Sequence, residues 1–242
     1  MTIIAMWSGP RNLSTAMMRS FGARADCSVI DEPYFAPFLK VSGKAHPGRD
    51  ETLARHEYDP QEVAELCSAP TETAYCFQKH MPHHMLEGFP MDWAYSKHET
   101  AAKHFFLIRE PARVIASYIK GRDAFDLDDL GFAPQRRLWE QLGRPPVIDS
   151  LDILRWPKTM LSQLCHAIDI PFDTAMLSWE KGARDEDGAW APYWYKSVES
   201  STGFAPPPET QPVVPPQYRD MLAACEEDYA AMEARKLTLK LA

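Results

Sequence analysis

The feature that most constrains the fold is a short apolar run at the start of the chain that leads through a polar loop into a helix. Residues 2–7 are apolar enough for a buried strand, and Ser8-Gly9-Pro10 ends the run. From Ser14 onward apolar residues recur at helical spacing, and Ser14 or Thr15 is predicted to cap the helix. This pattern is typical of the first unit of a parallel sheet covered by helices.

The rest of the chain repeats this alternation of strands and helices. Further strands are predicted at 28–31, 74–79, 104–108 and 147–149. Helices are predicted at 111–121, 158–168 and 217–235. The alternation predicts an α/β fold of three layers, α/β/α, with a central parallel sheet.

Two segments do not fit this alternation. Residues 40–60 are polar and rich in Gly, Pro and His, and we expect them to form a mobile surface excursion. Six prolines fall between Pro206 and Pro216, which predicts an extended strap over the surface. We interpret both segments as parts of one domain that spans residues 1–242, since a single α/β domain commonly reaches this length.

Charge and cysteine content narrow the class of protein. A net charge of −8 without any run of Lys and Arg argues against binding to nucleic acid backbones. Five cysteines without a CxxC pair indicate reduced thiols in a cytoplasmic protein. No apolar stretch approaches the roughly 20 residues that span a membrane, so we expect no membrane association.

The loop between the first strand and its helix has the layout of an anion-binding loop. Backbone N–H groups at a helix start converge on an anion, and the helix dipole favours negative charge. Arg11 adds a guanidinium, and Ser14 and Thr15 add hydroxyl donors. The triphosphatase pattern GxxxxGK[ST] is absent. The alternative interpretation is an ordinary turn with a capping serine.

A second candidate site follows the strand at 104–108. Arg109 stands directly after this strand, and Ser117 lies eight positions further along the next helix. An Arg and a Ser at the carboxyl end of a strand can hold a phosphate through charge-assisted hydrogen bonds. The alternative is that Arg109 pairs with Glu110 or Asp123 at the surface.

Taken together, the two motifs resemble the sulfotransferases that use 3′-phosphoadenosine 5′-phosphosulfate (PAPS). The resemblance implies a P-loop type fold, PAPS as sulfuryl donor, no metal, and a small-molecule hydroxyl or amine as acceptor. It assigns the donor site to Arg11, Asn12, Leu13, Ser14, Thr15, Arg109 and Ser117, with Arg11 also stabilising the transferring group. The loop GPRNLST departs from the common PKSGTT and is closer to a bacterial branch with PR in the loop.

The segment Lys79-His80-Met81-Pro82 resembles the KTHLP segment of the same family, whose histidine is the general base. His80 falls on that histidine, and the family lysine falls on Gln78. An imidazole that titrates near neutrality suits proton removal from the acceptor. Glu32 is the alternative base, and a surface or metal-binding role with His83 and His84 also stays open.

The last third of the chain resembles the family less closely. Lys181-Gly182, followed by Gly188-Ala189-Trp190, resembles the segment that covers the 3′-phosphate, so Lys181 and Gly182 are assigned to the donor site. Four aromatic residues close together in the sequence have two possible roles, to line an acceptor pocket or to pack in the core: Trp190, Tyr193, Trp194 and Tyr195. The loop 200–204 offers further hydroxyl groups. Two rival functions remain, a kinase-like P-loop phosphotransferase and a nucleotide-binding relative without catalysis, and the oligomeric state is not predicted.

Overall fold

A central sheet of five parallel strands organises the computed structural model, which describes residues 1–95, 102–122, 124–207 and 209–239. Its spatial order is β2-β3-β1-β4-β5. The strands are β1 (Thr2–Ser8), β2 (Cys27–Asp31), β3 (Tyr75–His80), β4 (Lys103–Ile108) and β5 (Val147–Asp149). The predicted α/β fold with a parallel sheet is confirmed, and each predicted strand is present with ends shifted by at most a residue or two.

Helices follow the strands on both sides of the sheet. They are α1 (Ser14–Gly22), α2 (Phe35–Ser42), α3 (Arg49–Arg55), α4 (Pro60–Ser68), α5 (Pro111–Ile119), α6 (Leu127–Leu130), α7 (Phe132–Gln141), α8 (Ser150–Arg155), α9 (Pro157–Ala167), α10 (Ala191–Trp194), α11 (Lys196–Glu199) and α12 (Arg219–Glu233). Short 3₁₀ turns lie at Pro82–His84, Asp92–Ala94, Thr174–Leu177 and Pro216–Tyr218. Within the described ranges, none of these helices has the length and apolar character that crossing a bilayer requires.

The segment 40–60 differs from its prediction. The structure places the end of α2, all of α3 and the start of α4 in this segment, and Thr52 is fully buried there. Asp59 caps α4, because its side chain accepts hydrogen bonds from the amides of Gln61 and Glu62. The polar composition reflects short helices with one exposed face. The described residues of the strap at 206–216 form no helix or strand before the 3₁₀ turn that begins at Pro216, and Pro208 lies outside the described residues.

Each face of the sheet carries its own hydrophobic core. Along β1 successive side chains point to opposite faces, so Ile4 and Met6 pack on one side, and Ala5 and Trp7 pack on the other. Helices α1, α2 and α9 cover the first face, and α4, α7 and α12 cover the second. The three-layer arrangement therefore follows from strands that are apolar on both faces.

The strand order places the loops after β1 and β4 beside each other, at the carboxyl ends of the strands. After β1 the chain moves to β2 and β3 on one side, and it later returns to β4 on the other side of β1. Parallel sheets bind ligands outside the carboxyl ends of the strands, at the point where the strand order reverses. Here that point lies between β1 and β4, so the loop at 9–13 and Arg109 meet there.

Candidate functional site

A cavity of about 430 Å³ opens at the carboxyl ends of the strands. Its wall combines the loop after β1, the residues that follow β2 and β3, Arg109 after β4, the end of α5, and the segment 194–206. Among the described residues of the wall, five are cations and two are carboxylates: Arg11, Lys44, Lys79, Arg109, Arg122, Glu32 and Asp129. The cavity is therefore cationic in a chain whose net charge is −8.

The start of α1 forms an open anion site at the base of the cavity. Its cap residue is Leu13, in a left-handed conformation with φ 75°, and the cap has no side-chain hydrogen bond. The prediction that Ser14 or Thr15 caps the helix is wrong, and both residues line the cavity instead. The first amides of a helix have no partners within it, so these amides are available to an anion. Arg11 also has a positive φ, 61°, which bends the loop around the site.

Arg11, Arg109 and Ser117 meet in this cavity although they come from separate parts of the chain. The Arg11 Nε atom donates to Ser117 Oγ at 2.9 Å, and the Arg109 guanidinium donates to the Arg11 carbonyl oxygen. Glu110 pairs with Arg113 at 3.0 Å rather than with Arg109, and Asp123 lies outside the described residues. Burial, followed by the charges of Arg113 and Arg11, lowers the pKa of Arg109. Two adjacent guanidiniums thus favour an anion beside them.

Two parts of the predicted donor site lie elsewhere. Asn12 is 1 % exposed, and its Nδ2 atom donates to the Leu107 carbonyl at 3.3 Å, so it anchors the loop on β4 and does not face the cavity. Lys181 is exposed, and neither it nor Gly182 is among the described residues of the cavity wall. The Gly182 amide donates to the Glu199 carbonyl at 2.8 Å, which ties this segment to the end of α11. Ser197, Ser201 and Gly203 occupy the wall instead.

His80 lies on the opposite face of the sheet from the cavity. Its ring stacks between Trp7 and Trp93, at centroid distances of 4.6 and 4.8 Å, and its Nε2 atom pairs with Gln78. The side chain is 1 % exposed, and burial lowers the pKa of His80 to about 3. A general base must reach the proton that it removes. This placement argues against His80 as the base, because alternation along β3 turns Lys79 toward the cavity and His80 away from it.

Lys79 is a site residue that the sequence analysis did not single out. Its Nζ atom contacts Glu32 Oε1 at 2.8 Å, Asp31 Oδ1 at 3.0 Å and Tyr195 Oη at 2.6 Å, and it donates to Thr15 Oγ1 at 3.2 Å. Burial acts to lower the pKa of Lys79, but the two carboxylates hold it above its usual range. The alternation of side chains along β3 is the signal that separates Lys79 from His80.

Glu32 is the carboxylate of this cluster that faces the cavity. Asp31 is fully engaged, since its second oxygen accepts from the Gly188 amide at 3.1 Å and from Tyr195 at 2.6 Å. Glu32 has one oxygen on Lys79, and its Oε2 atom lies 3.9 Å from His84 Nδ1. One ammonium balances only one of two carboxylates. Burial, reinforced by Asp31, therefore raises the pKa of Glu32.

An aromatic wall lies beside Glu32. The rings of Phe35 and Phe38 stack against the His84 ring at centroid distances of 4.8 and 4.9 Å, and Met81 also lines the cavity. From the aromatic group near the C-terminus, Trp190 and Tyr195 are buried and also line the cavity, as does Trp194. Tyr193 is 47 % exposed and lies outside this wall. Both expected roles of the group, pocket wall and core, are therefore present.

The histidines near residue 83 do not assemble with other ligands into a metal site in the described part of the chain. No group of three or more His, Cys, Asp or Glu side chains there has the placement to hold a metal ion. His83 and His84 line the cavity, and each has a buried Nδ1 atom without a hydrogen-bond partner.

Comparison with known protein families gives a match over nearly the whole chain. Residues 1–236 match the family described as "Sulfotransferase domain". The solved sulfotransferase from Alicyclobacillus acidocaldarius superposes with a TM-score of 0.54 at 13% sequence identity, covering 98% of this chain and 97% of its own. At this level of sequence identity, the likeness shows a shared fold and nothing about function.

Two curated relatives from Arabidopsis thaliana match more closely in sequence. They are named branched-chain-amino-acid aminotransferase-like proteins 2 and 1, and they are 37% and 39% identical over 230 and 225 residues. The matches cover 93% and 91% of this chain but 40% of each relative. The chain thus spans about two fifths of the length of these relatives.

Proposed function

The chain belongs to the family of sulfotransferase domains, and from this premise we propose that it transfers a sulfuryl group from PAPS to a small-molecule acceptor. The observation that carries the proposal is the meeting of Arg11, Arg109 and Ser117 in one cavity, at the open start of α1. A nucleotide with phosphate groups at both its 5′ and 3′ positions requires two anion-binding sites within one cavity. The open helix start and the adjacent guanidiniums fit these two groups.

In this proposal the loop after β1 and the start of α1 hold the 5′ end of the donor. The free amides of α1, with the hydroxyls of Ser14 and Thr15, bind the 5′-phosphosulfate, because a helix start attracts anions. Arg109 and Ser117 bind the 3′-phosphate, since charge-assisted hydrogen bonds from Arg are strong and directional. Arg11 touches both regions and stabilises charge that spreads over the transferring group.

Glu32 takes the role of general base in place of His80. Its Oε2 atom faces the cavity, and its raised pKa brings proton affinity closer to the range that a base at neutral pH needs. Lys79 fixes the other oxygen of the carboxylate at 2.8 Å and so orients the group. PAPS supplies the sulfuryl group when bound, and the chain supplies position, charge and a proton acceptor.

A nucleotide panel in a thermal-shift assay tests the donor before any acceptor is identified. We expect 3′-phosphoadenosine 5′-phosphate (PAP) to raise the melting temperature, and we expect adenosine 5′-phosphate and ATP with magnesium to have little effect. The Arg109→Ala variant should bind PAP about 10- to 100-fold more weakly, since hydrogen bonds to charged groups contribute about 1.5–3 kcal/mol. Titration calorimetry measures this difference.

The matched control is Arg137→Ala, which removes an exposed arginine of α7. It should bind PAP as the parent does. Equal PAP affinity of Arg109→Ala and the parent would overturn the role of Arg109. Stabilisation by ATP with magnesium in preference to PAP would favour a phosphotransferase instead, and PAP binding without transfer to any acceptor would favour a non-catalytic relative.

A further inference from the structure

Of the histidines that line the cavity, His84 has a buried ring nitrogen close to Glu32. His84 is 4 % exposed, its Nδ1 atom has no hydrogen-bond partner, and that atom lies 3.9 Å from Glu32 Oε2. This distance is too long for a direct hydrogen bond. It is short enough for one oxygen atom to lie within hydrogen-bond distance of both groups. A buried polar atom without a partner is costly, so a ligand atom at this position would satisfy it.

The position of His84 is fixed by its neighbours. Its ring stacks against Phe35 and Phe38 with interplanar angles of 27° and 26°. The His83 ring also packs against it in an edge-on contact, at a centroid distance of 4.3 Å. Burial, followed by the charge of His83, lowers the pKa of His84, so the ring is neutral and carries one N–H. A neutral ring held in this way can donate one hydrogen bond from Nδ1.

We propose that Glu32 and His84 together bind the hydroxyl group of the acceptor, and that the acceptor is an alcohol or phenol with an apolar body rather than an amine. The inference rests on the proposed function of this site. The hydroxyl donates its proton toward Glu32 Oε2, and its oxygen accepts from His84 Nδ1–H. Phe35, Phe38 and Met81 form the apolar surface for the rest of the acceptor.

Lone-pair counting distinguishes an alcohol from an amine at this position. A hydroxyl oxygen has two lone pairs, so one can attack sulfur while the other accepts from His84. The nitrogen of an amine has a single lone pair, and a hydrogen bond from His84 would occupy the pair needed for attack. An alkylamine is also protonated at neutral pH, and five cations against two carboxylates in the described wall disfavour an ammonium.

The transfer step balances with these groups. The O–H bond of the acceptor breaks, and its proton goes to Glu32 Oε2. A new bond forms between the acceptor oxygen and sulfur as the bond from sulfur to the 5′-phosphate oxygen breaks, and that electron pair leaves with PAP. His84 keeps its proton and stabilises the negative charge that develops on the acceptor oxygen.

A matched pair of acceptors tests the inference without any variant. Sulfuryl transfer from radiolabelled PAPS is measured with 2-phenylethanol and with 2-phenylethylamine, which differ only in the nucleophile, and with a small panel of phenols. We expect transfer to the alcohols or phenols and not to the amine. Transfer to the amine at an equal or greater rate, or no transfer to any apolar alcohol or phenol, would overturn the inference.

A pair of variants tests His84 itself. His84→Phe keeps the aromatic stack and removes Nδ1, so kcat should fall about 100-fold while PAP binding stays at the parental level. His84→Asn restores an N–H near the same position and should recover part of kcat. The control His166→Phe alters an exposed histidine of α9 and should match the parent.

The thermal-shift assay separates failure of this inference from failure of the proposed function. A parent that PAP does not stabilise would overturn the proposed function and this inference with it. A parent that binds PAP, together with a His84→Phe variant of unchanged kcat, would overturn the inference alone.

Discussion

At the scale of single residues, the chemistry of the site depends on the uneven charge of three buried side chains. Lys79 supplies one positive charge, and Asp31 and Glu32 supply two carboxyl groups. The second oxygen of Asp31 accepts hydrogen bonds from the Gly188 amide and the Tyr195 hydroxyl. Burial, reinforced by the charge of Asp31, raises the pKa of Glu32, so it holds its proton more tightly than an ordinary glutamate.

The pH dependence of catalysis follows from this difference. A general base must be deprotonated, so kcat/KM should fall as the pH falls through the pKa of Glu32. Because burial and Asp31 raise that pKa, the midpoint of the acidic limb should lie above the ordinary value of 4.5. Lys79 and His84, which also face Glu32, should stay in one protonation state across this limb, since their pKa values are shifted up and down respectively.

The Glu32→Gln variant checks this prediction. It should lower kcat/KM by about 10²–10⁴-fold and remove the acidic limb, as expected for loss of a general base. The exposed Glu72→Gln change serves as the control. An unchanged acidic limb in Glu32→Gln would assign the proton transfer to another group.

At the scale of elements, α1 connects the anion site to the segment that precedes α10. Its first turn faces the cavity, and Arg19 in its last turn pairs with Asp187 at 2.6 Å, with side chains 3 % and 4 % exposed. The Gly188 amide, one residue further, donates to Asp31. This segment therefore rests on α1 and on the end of β2. It places the Tyr195 ring against Lys79, and Trp190 donates to the Tyr195 hydroxyl.

Removing one partner of the Arg19–Asp187 pair should be costly. The Asp187→Ala variant leaves a buried guanidinium without its carboxylate, which costs about 3–5 kcal/mol in free energy of unfolding. The double variant Arg19→Met with Asp187→Leu should lose less, because no charge remains buried. Urea unfolding of both variants measures the difference.

An exposed ion pair provides the comparison for this experiment. The side chains of Glu51 and Arg55 in α3 are 50 % and 62 % exposed, and their charged atoms lie 3.5 Å apart. Glu51→Ala should therefore lower the free energy of unfolding by at most about 0.5 kcal/mol. Equal losses for Asp187→Ala and the double variant would show that packing, not charge, holds this segment on α1.

At the scale of the whole molecule, the sign of the charge differs between the surface and the cavity. The chain carries a net charge of −8, while cations predominate in the described wall of the cavity. The surface repels an anionic nucleotide at long range, and the cavity attracts it at short range. Low-dielectric walls strengthen the attraction, which suits a ligand with several negative charges.

Salt should weaken donor binding at this site. Raising the salt concentration from roughly 0.05 M to roughly 0.5 M shortens the screening length severalfold, so PAP affinity should fall several-fold. Titration calorimetry in acetate and in chloride salts separates screening from competition by a bound anion. An affinity that does not change with either salt would mean that PAP binding does not depend on the cations of the cavity.

The sequence by itself determines the features that are local along the chain. The β1–loop–α1 unit can be predicted from the sequence because an apolar run, a turn and a helical pattern follow one another without a gap. The Arg109–Ser117 pair can be predicted because both residues lie within one strand–helix unit. The parallel sheet follows from several strands that are apolar on both faces. Whether residues 1–242 form a single domain stays a prediction.

The tertiary structure alone decides which face of a strand meets the ligand and which distant segments meet each other. Alternation along β3 shows that Lys79 and His80 point in opposite directions, but it does not show which of them faces the cavity. The packing of Trp7 and Trp93 around His80 settles that question. Asp31 and Gly188, and likewise Glu32 and His84, are brought together by long-range packing. Spacing in the sequence does not predict such contacts, because they form only when both hydrophobic cores have packed against the sheet.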